Sequence, residues 1–258
     1  MKNCAIWKPS KFVYVKGRLK ASKTPNEVCI GSRLIANQTA KFYDQWLKRH
    51  AKGKLLDLGC GKVPFFLVYR DLVREVVCVD WKNTLHPNDY IDLHWDLTKP
   101  LPFADGEFDT IILSDVLEHI PTPDDLWKEM SRILAHQGTI IMNVPFYYWV
   151  HEQPNDYYRY TEFALRRFVA NAGLRLVELK PIGGLPEIVA DLFAKMALNI
   201  PLLGGCLARF VQGMAMVYLK TGFGRQHSRA TRNEYPLGYF LVAQKDRLEC
   251  GDTPDKQR

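Results

Sequence analysis

What most constrains this chain is an alternation of short apolar runs with amphipathic segments across its middle. Lys54–Leu58, Glu75–Asp80, Phe108–Ser114 and Gly138–Val144 are four runs rich in Leu, Ile and Val. Runs of this length and near-continuous apolarity suit strands buried on both faces, the habit of a parallel sheet. Between the third and fourth, Thr122 supplies a capping hydroxyl and Pro123 a first-turn proline, with Asp124 and Asp125 against the positive helix end. Leu126, Met130, Ile133 and Leu134 then form an apolar stripe, and Gly138 is the expected terminator. Thr161–Ala172 repeats this grammar, with Thr161 as cap, Phe163, Leu165, Phe168 and Val169 as stripe, and Gly173 as stop. Leu174–Leu179 and Tyr239–Gln244 read as two more strands, and a helix is expected around Leu34–His50. Such alternation predicts an open, doubly wound α/β sheet.

Two segments stand outside that pattern: a basic N-terminal arm, residues 1–30, and residues 181–236 between the last two strands. The net charge of +7 is carried by the front of the chain, where residues 1–54 hold 13 Lys and Arg against only Glu27 and Asp44. A basic arm favours an anionic partner, whether phospholipid headgroups, a phosphorylated substrate or nucleic acid. A composition 47% apolar and 24% charged excludes disordered and fibrous classes. The six cysteines show no Cys-x-x-Cys pair and the seven histidines no His-Glu-x-x-His spacing, so reduced thiols and no metal site are expected. Residues 1–25 contain no apolar leader, and Met196–Ala208 falls short of the roughly 18–20 apolar residues that cross a bilayer. The expectation is a cytoplasmic protein able to touch the inner face of the membrane.

At the end of the first run, Asp57-Leu58-Gly59-Cys60-Gly61 places glycines where a backbone turns sharply and meets a ligand with no Cβ in the way. Asp80 ends the second run, where a carboxylate can accept from both ribose hydroxyls of an adenosine. A nicotinamide dinucleotide site would share these two elements. Three details separate the readings. No third glycine follows Gly61. Asp57 repels a pyrophosphate but suits an ammonium or sulfonium. Asp96-Leu97 then precedes Leu101-Pro102-Phe103 and Phe108-Asp109. In these residues the chain resembles class I S-adenosylmethionine-dependent methyltransferases of the type 11 kind. The likeness runs from about Leu55 to Leu179 and includes Leu117-Glu118-His119-Ile120 and Asn143-Val144-Pro145.

The resemblance implies a Rossmann-like, doubly wound, mostly parallel seven-stranded sheet with helices on both faces. The methyltransferase domain would cover residues 31–258, with 181–236 a helical insertion before the last strand. S-adenosylmethionine would lie across the carboxyl ends of the strands. Asp57, Gly59, Cys60 and Gly61 would flank its methionine part, Asp80 its ribose, and Asp96 and Leu97 its adenine, with Trp81 also a cofactor-binding residue. Ser114 and Asp115 would border the methyl group. Lys62-Val63-Pro64 departs from the family where a further glycine is common, which reshapes the turn.

Methyl transfer from a sulfonium is an in-line displacement, so the protein must hold the acceptor and, for a hydroxyl, remove its proton. Residues Pro145–Thr161 hold the chain's densest cluster of His, acid, Arg and aromatic side chains. There His151, which titrates near neutrality, is the candidate base. Arg159 is a candidate clamp for phosphate or carboxylate, and Tyr157 can stack on a sugar ring; a structural lid with Asp156 and Arg159 paired fits the same residues. This run resembles one found in methyltransferases of surface-polysaccharide and related glycan pathways. That implies O-methylation of a saccharide or lipid-linked acceptor, with a quinone-like acceptor or a non-catalytic S-adenosylmethionine-binding protein as alternatives. Ser114-Asp115-Val116-Leu117 stands where base-amino methyltransferases carry Asn/Asp-Pro-Pro-aromatic, which disfavours nucleic acid. In 181–236, apolar residues from Ile188 to Ile200 and from Phe210 to Tyr218 recur at helical spacing, followed by Lys220, Arg225, Arg229 and Arg232. This suits an anionic membrane interface, a substrate-covering cap or a dimer interface.

Overall fold

A computed structural model describes residues 1–24, 26–84 and 88–247; residues 248–258, assigned above to the end of the domain, lie outside the described residues. In chain order the elements are β1 (Phe12–Val15), β2 (Arg18–Ala21), α1 (Arg33–His50), β3 (Lys54–Leu58), α2 (Phe66–Tyr69), β4 (Glu75–Asp80), β5 (Leu93–His94) and β6 (Phe108–Ser114). There follow α3 (Pro123–Ile133), β7 (Leu134–Pro145), α4 (Glu162–Asn171), β8 (Arg175–Ile182), α5 (Leu185–Leu198), α6 (Gly204–Tyr218), α7 (Gly222–Thr231) and β9 (Gly238–Gln244). Seven strands form one sheet in the order β5-β4-β3-β6-β7-β9-β8. The strands from β5 to β7 run parallel, and β9 is antiparallel to both β7 and β8. This is the expected Rossmann-like sheet. The chain leaves β3 towards β4 on one side and returns to β6 on the other, and the carboxyl ends at such a reversal are where α/β folds open a crevice.

Strand period assigns the side chains. Leu56, Leu58, Ile111, Leu113, Ile140 and Met142 pack in one layer with Leu126, Trp127 and Met130 of α3 and Leu165 and Phe168 of α4. Leu55, Ile112 and Ile141 pack in the other, with Ala40, Tyr43 and Leu47 of α1. Each fully buried side chain of this size contributes about 1.5–3 kcal/mol, so both layers are needed to hold the parallel strands in register.

Local expectations fared unevenly. Thr161 accepts a hydrogen bond from the Ala164 amide and Gly173 takes φ +67°, as a cap and a stop should. Thr122, by contrast, makes no side-chain cap bond, and α3 ends at Ile133. Gly138 is no helix terminator; it sits inside β7, where a Cβ would lie 2.7 Å from the Ala135 carbonyl oxygen. Sheet pairing with β6 draws Leu134 out of the helix.

The basic segment is a folded part of the molecule and no free arm. β1 and β2 form a hairpin, and Phe12, Leu19 and Val28 are buried in the same layer as α1. The Met1 amine pairs with Asp92 at 3.2 Å. Residues 181–236 supply the expected helices, α5, α6 and α7, between β8 and β9. They dock on α1: Gln212 of α6 accepts from the Leu34 amide at 2.8 Å and donates to the Gly31 carbonyl at 2.6 Å. Glu187 of α5 accepts from Gln38 and Ser228, which joins α1, α5 and α7.

Candidate active site

A cavity of about 800 Å³ opens at the carboxyl ends of β3, β4, β6 and β7. Its floor begins at the glycine turn. Gly59 takes φ +65°, and a Cβ there would lie 2.4 Å from Val116 Cγ2, so the turn can approach a ligand only because the residue is glycine. Val63 also has positive φ, +50°, in the stretch where the family commonly has a further glycine. The Gly61 amide donates to Asp80 Oδ2 at 2.7 Å and the Trp81 amide to Oδ1 at 2.7 Å, which fixes the acid at the end of β4. Asp57 is buried beside this turn and accepts from the Tyr69 hydroxyl at 3.0 Å. Burial raises its carboxyl to about 7 against the lowering effect of that hydrogen bond. A cationic partner at this point would favour the carboxylate form.

Cys60 also lines the cavity, but neighbouring Cys78 and burial push its thiol well above the ordinary value, so it is no nucleophile. Asp96 Oδ1 accepts from the Thr98 amide and hydroxyl, and Leu97 is buried next to it. At the centre, the Asn143 side chain links three elements. Its Oδ1 accepts from the Tyr43 and Ser114 hydroxyls at 2.8 Å each, and its Nδ2 donates to Asp115. Asp115, at φ +52°, also pairs with Lys11 at 3.2 Å. Lys11 sits beside β1, 104 residues away.

The lining also carries Glu118, His119, His151 and Tyr157. Glu118 and His119 lie on a short helical turn after β6; His151 comes from the loop after β7. Glu118 is fully buried, and neither of its carboxylate oxygens has a hydrogen-bond partner among the described residues. Burial, and then the charge of Asp115, push its carboxyl well above the usual range. The rings of His119 and His151 meet edge to face, with centroids 4.9 Å apart. Burial and His119 lower the His151 pKa. Tyr157 donates through its hydroxyl to Asn155.

Twelve of the thirteen residues named from sequence line this cavity; Arg159 does not. Its guanidinium pairs with Asp156, holding that carboxyl well below the usual range, and donates to the Tyr148 and Trp149 carbonyls. The expected clamp is a brace for the His151 loop, because Asp156 also accepts the His151 amide at 2.8 Å. Sequence reasoning missed Lys11, Asn143 and Tyr148 as wall residues, and gave the buried Glu118 no role. No spacing rule brings Lys11 to Asp115. The one available signal was the unexplained acid in Leu117-Glu118-His119.

The sheet order, the glycine turn and the acid at the end of β4, all facing one crevice, are the Rossmann-like arrangement that this chain shares with solved S-adenosylmethionine-dependent methyltransferases. More particularly, residues 56–142 match the family model described as methyltransferase domain. An uncharacterized methyltransferase of Mycobacterium leprae is 28% identical over 156 residues, 55% of this chain and 58% of that protein. An uncharacterized protein of Methanocaldococcus jannaschii is 27% identical over 130 residues, 43% of this chain and 60% of that one. The chain thus spans under two thirds of these relatives. Among solved structures, an S-adenosylmethionine-dependent methyltransferase from Archaeoglobus fulgidus shares the fold, with TM-score 0.54, 15% identity, and coverage of 83% of this chain and 97% of that one.

Proposed function

We propose that this protein transfers the methyl group of S-adenosylmethionine to a hydroxyl oxygen of a lipid-linked saccharide at an anionic membrane surface. One observation carries the reading: the glycine turn with Asp57 and Asp80 and the pole of Glu118, His119 and His151 open onto the same cavity. When bound, S-adenosylmethionine supplies an electrophilic methyl on a sulfonium. The chain's own residues do the rest. Gly59 and Gly61 leave room for the cofactor, Asp80 is set to hold ribose hydroxyls, and Asp57 offers a carboxylate to a cation. Tyr157, exposed on the cavity lining, offers an aromatic face to a sugar ring. In this reading His151 takes the hydroxyl proton; its ring Nδ1 lies 3.3 Å from Asp156, which Arg159 anchors.

The lipid part of the reading rests on α5 and α6. Their mutual packing uses Ala194, Ala197 and Ala208, while Phe193, Met196, Leu203, Phe210, Met214 and Val217 are exposed. Small residues inside and large apolar residues outside reverse the order that water imposes. Residues 204–233 contain Arg209, Lys220, Arg225, Arg229 and Arg232 and no acid, which complements an anionic headgroup layer. No helix among the described residues is long and apolar enough to cross a membrane.

The test supplies radiolabelled S-adenosylmethionine to protein and whole-cell extract, then separates organic-extractable, aqueous and RNA fractions. Label in the organic fraction, lost in His151→Ala by about 10²-fold or more, is the expected result. Label confined to RNA, or equal transfer by the variant, overturns the acceptor or the base respectively. Phe193→Ser/Phe210→Ser should abolish pelleting with vesicles containing anionic lipid and leave S-adenosylhomocysteine binding intact; undiminished pelleting removes the membrane from the reading.

A further inference from the structure

The cavity lining contains an arrangement that a proton acceptor alone does not require. His119 Nε2 lies 3.8 Å from Glu118 Oε1, and His151 Nε2 lies 4.0 Å from the same oxygen. One ligand atom from each of the three residues lies within 4.8 Å of the others. Both imidazoles are oriented from behind. His119 Nδ1 is 2.8 Å from the Asn155 carbonyl oxygen, and His151 Nδ1 is 3.3 Å from Asp156 Oδ2. A hydrogen donated at Nδ1 leaves the Nε2 lone pair directed inward, which is how metal-binding histidines are commonly held. Independently, Glu118 is 0% exposed and both its oxygens lack a hydrogen-bond partner among the described residues. A buried carboxylate in that condition costs folding free energy unless something pairs with it.

We propose that Glu118, His119 and His151 bind one divalent first-row transition cation on the acceptor side of the cavity. Two imidazole nitrogens and one carboxylate suit such an ion better than magnesium or calcium, which favour all-oxygen shells. Metal–ligand bonds of about 2.0–2.2 Å place neighbouring ligand atoms roughly 3.0–3.5 Å apart, so the two Glu118–His pairs need to close by up to about 1 Å and the widest pair by up to about 1.8 Å. Glu152 Oε2, 3.9 Å from His119 Nε2, lies at the rim of the same cluster. Three protein ligands leave coordination positions open to the cavity, as in catalytic sites. This deepens the reading of the pocket as a methyl-transfer site and rests on it. A hydroxyl oxygen at an open position would have its pKa lowered by the ion and lose its proton to water. In the metal-bound protein His151 would hold the ion, and the proton-acceptor role given to it above applies to the metal-free chain.

The experiment uses the full chain, stripped with a chelator and freed of any affinity tag. Cobalt(II) is the probe, followed by visible absorption and calorimetry. Expected is saturable uptake of one cobalt per chain, weakened at least tenfold by Glu118→Gln and by His119→Ala. In both variants, melting curves and S-adenosylhomocysteine affinity should stay within twofold of the parent. His151→Gln gives the same reading from the other loop should either variant fail to fold. Absence of stoichiometric uptake, or uptake undiminished in the variants, overturns the site. Two outcomes keep the failures apart. A chain that transfers label after chelation and takes up no cobalt loses the cation site alone. A chain that takes up cobalt in the expected way but binds no S-adenosylhomocysteine keeps the site and loses the methyl-transfer reading.

Discussion

At Gly59 a single methyl group decides whether the cofactor turn can form. Left-handed backbone costs a non-glycine residue roughly 1–2 kcal/mol, and the clash with Val116 adds roughly 1–3 kcal/mol. Gly59→Ala should therefore weaken S-adenosylhomocysteine binding at least tenfold and lower the melting temperature, both readable by calorimetry. Asp57 makes a different prediction. Its carboxyl sits at about 7 in the folded protein, well above its ordinary value near 3.8, so between those pH values the folded state holds a proton that the unfolded chain has lost. Stability from this group is fully present at low pH and falls as pH rises towards 7. A cationic cofactor favours the carboxylate, so its binding should tighten from pH 6 to pH 8 and release a proton. Calorimetry in buffers of different ionisation enthalpy measures that release, and Asp57→Asn should abolish it; equal affinity at both pH values would remove Asp57 from cofactor binding. Both residues were legible in the sequence because their chemistry is local to a strand end. Of the two readings of Arg159, clamp or lid residue paired with Asp156, the geometry matches the second, because Asp156, three residues away, takes up the guanidinium that a free clamp would need.

At the level of elements, α5 is tied to the active-site loop by a buried charge. Lys195 pairs with Asp191 at 2.6 Å, with side chains 5% and 3% exposed, and its ammonium lies 3.6 Å from the centroid of the Tyr148 ring. Tyr148 lines the cavity, so one side chain separates the apolar helix from the site. Removing one member of a buried pair strands the other charge, at a cost of about 3–5 kcal/mol, whereas replacing both with apolar residues is often neutral. Lys195→Met should accordingly destabilise the protein by about that amount in denaturant unfolding, and Lys195→Met/Asp191→Leu should recover most of it. Recovery absent from the double variant would mean that the cation–aromatic contact, not the charge pair, is what matters. The helices α3 and α4 were read from their apolar stripes. The two-residue β5 and the β1–β2 hairpin carried no comparable periodic signal.

For the whole molecule, the N-terminal segment is the instructive case. Its positive charge suggested an appendage for anionic partners, yet Phe12 and Leu19 are buried against α1, and Lys11 reaches Asp115 in the cavity wall. Losing Phe12, Leu19 and Val28 removes about 1.5–3 kcal/mol of burial each, against a typical total of about 5–15 kcal/mol. Deletion of residues 1–30 should thus lower the melting temperature sharply and abolish S-adenosylhomocysteine binding. A truncated protein that melts and binds like the parent would show the segment to be dispensable. The amino-acid sequence by itself determined the parallel sheet and its cofactor turn, because apolar period, helix stops and glycine positions act over a few residues. Only the tertiary structure decided which distant side chains share the cavity. Lys11 beside Asp115, and His151 beside Glu118 and His119, meet through strand order and loop path, and separations of 32 to 104 residues leave no local imprint on the chain.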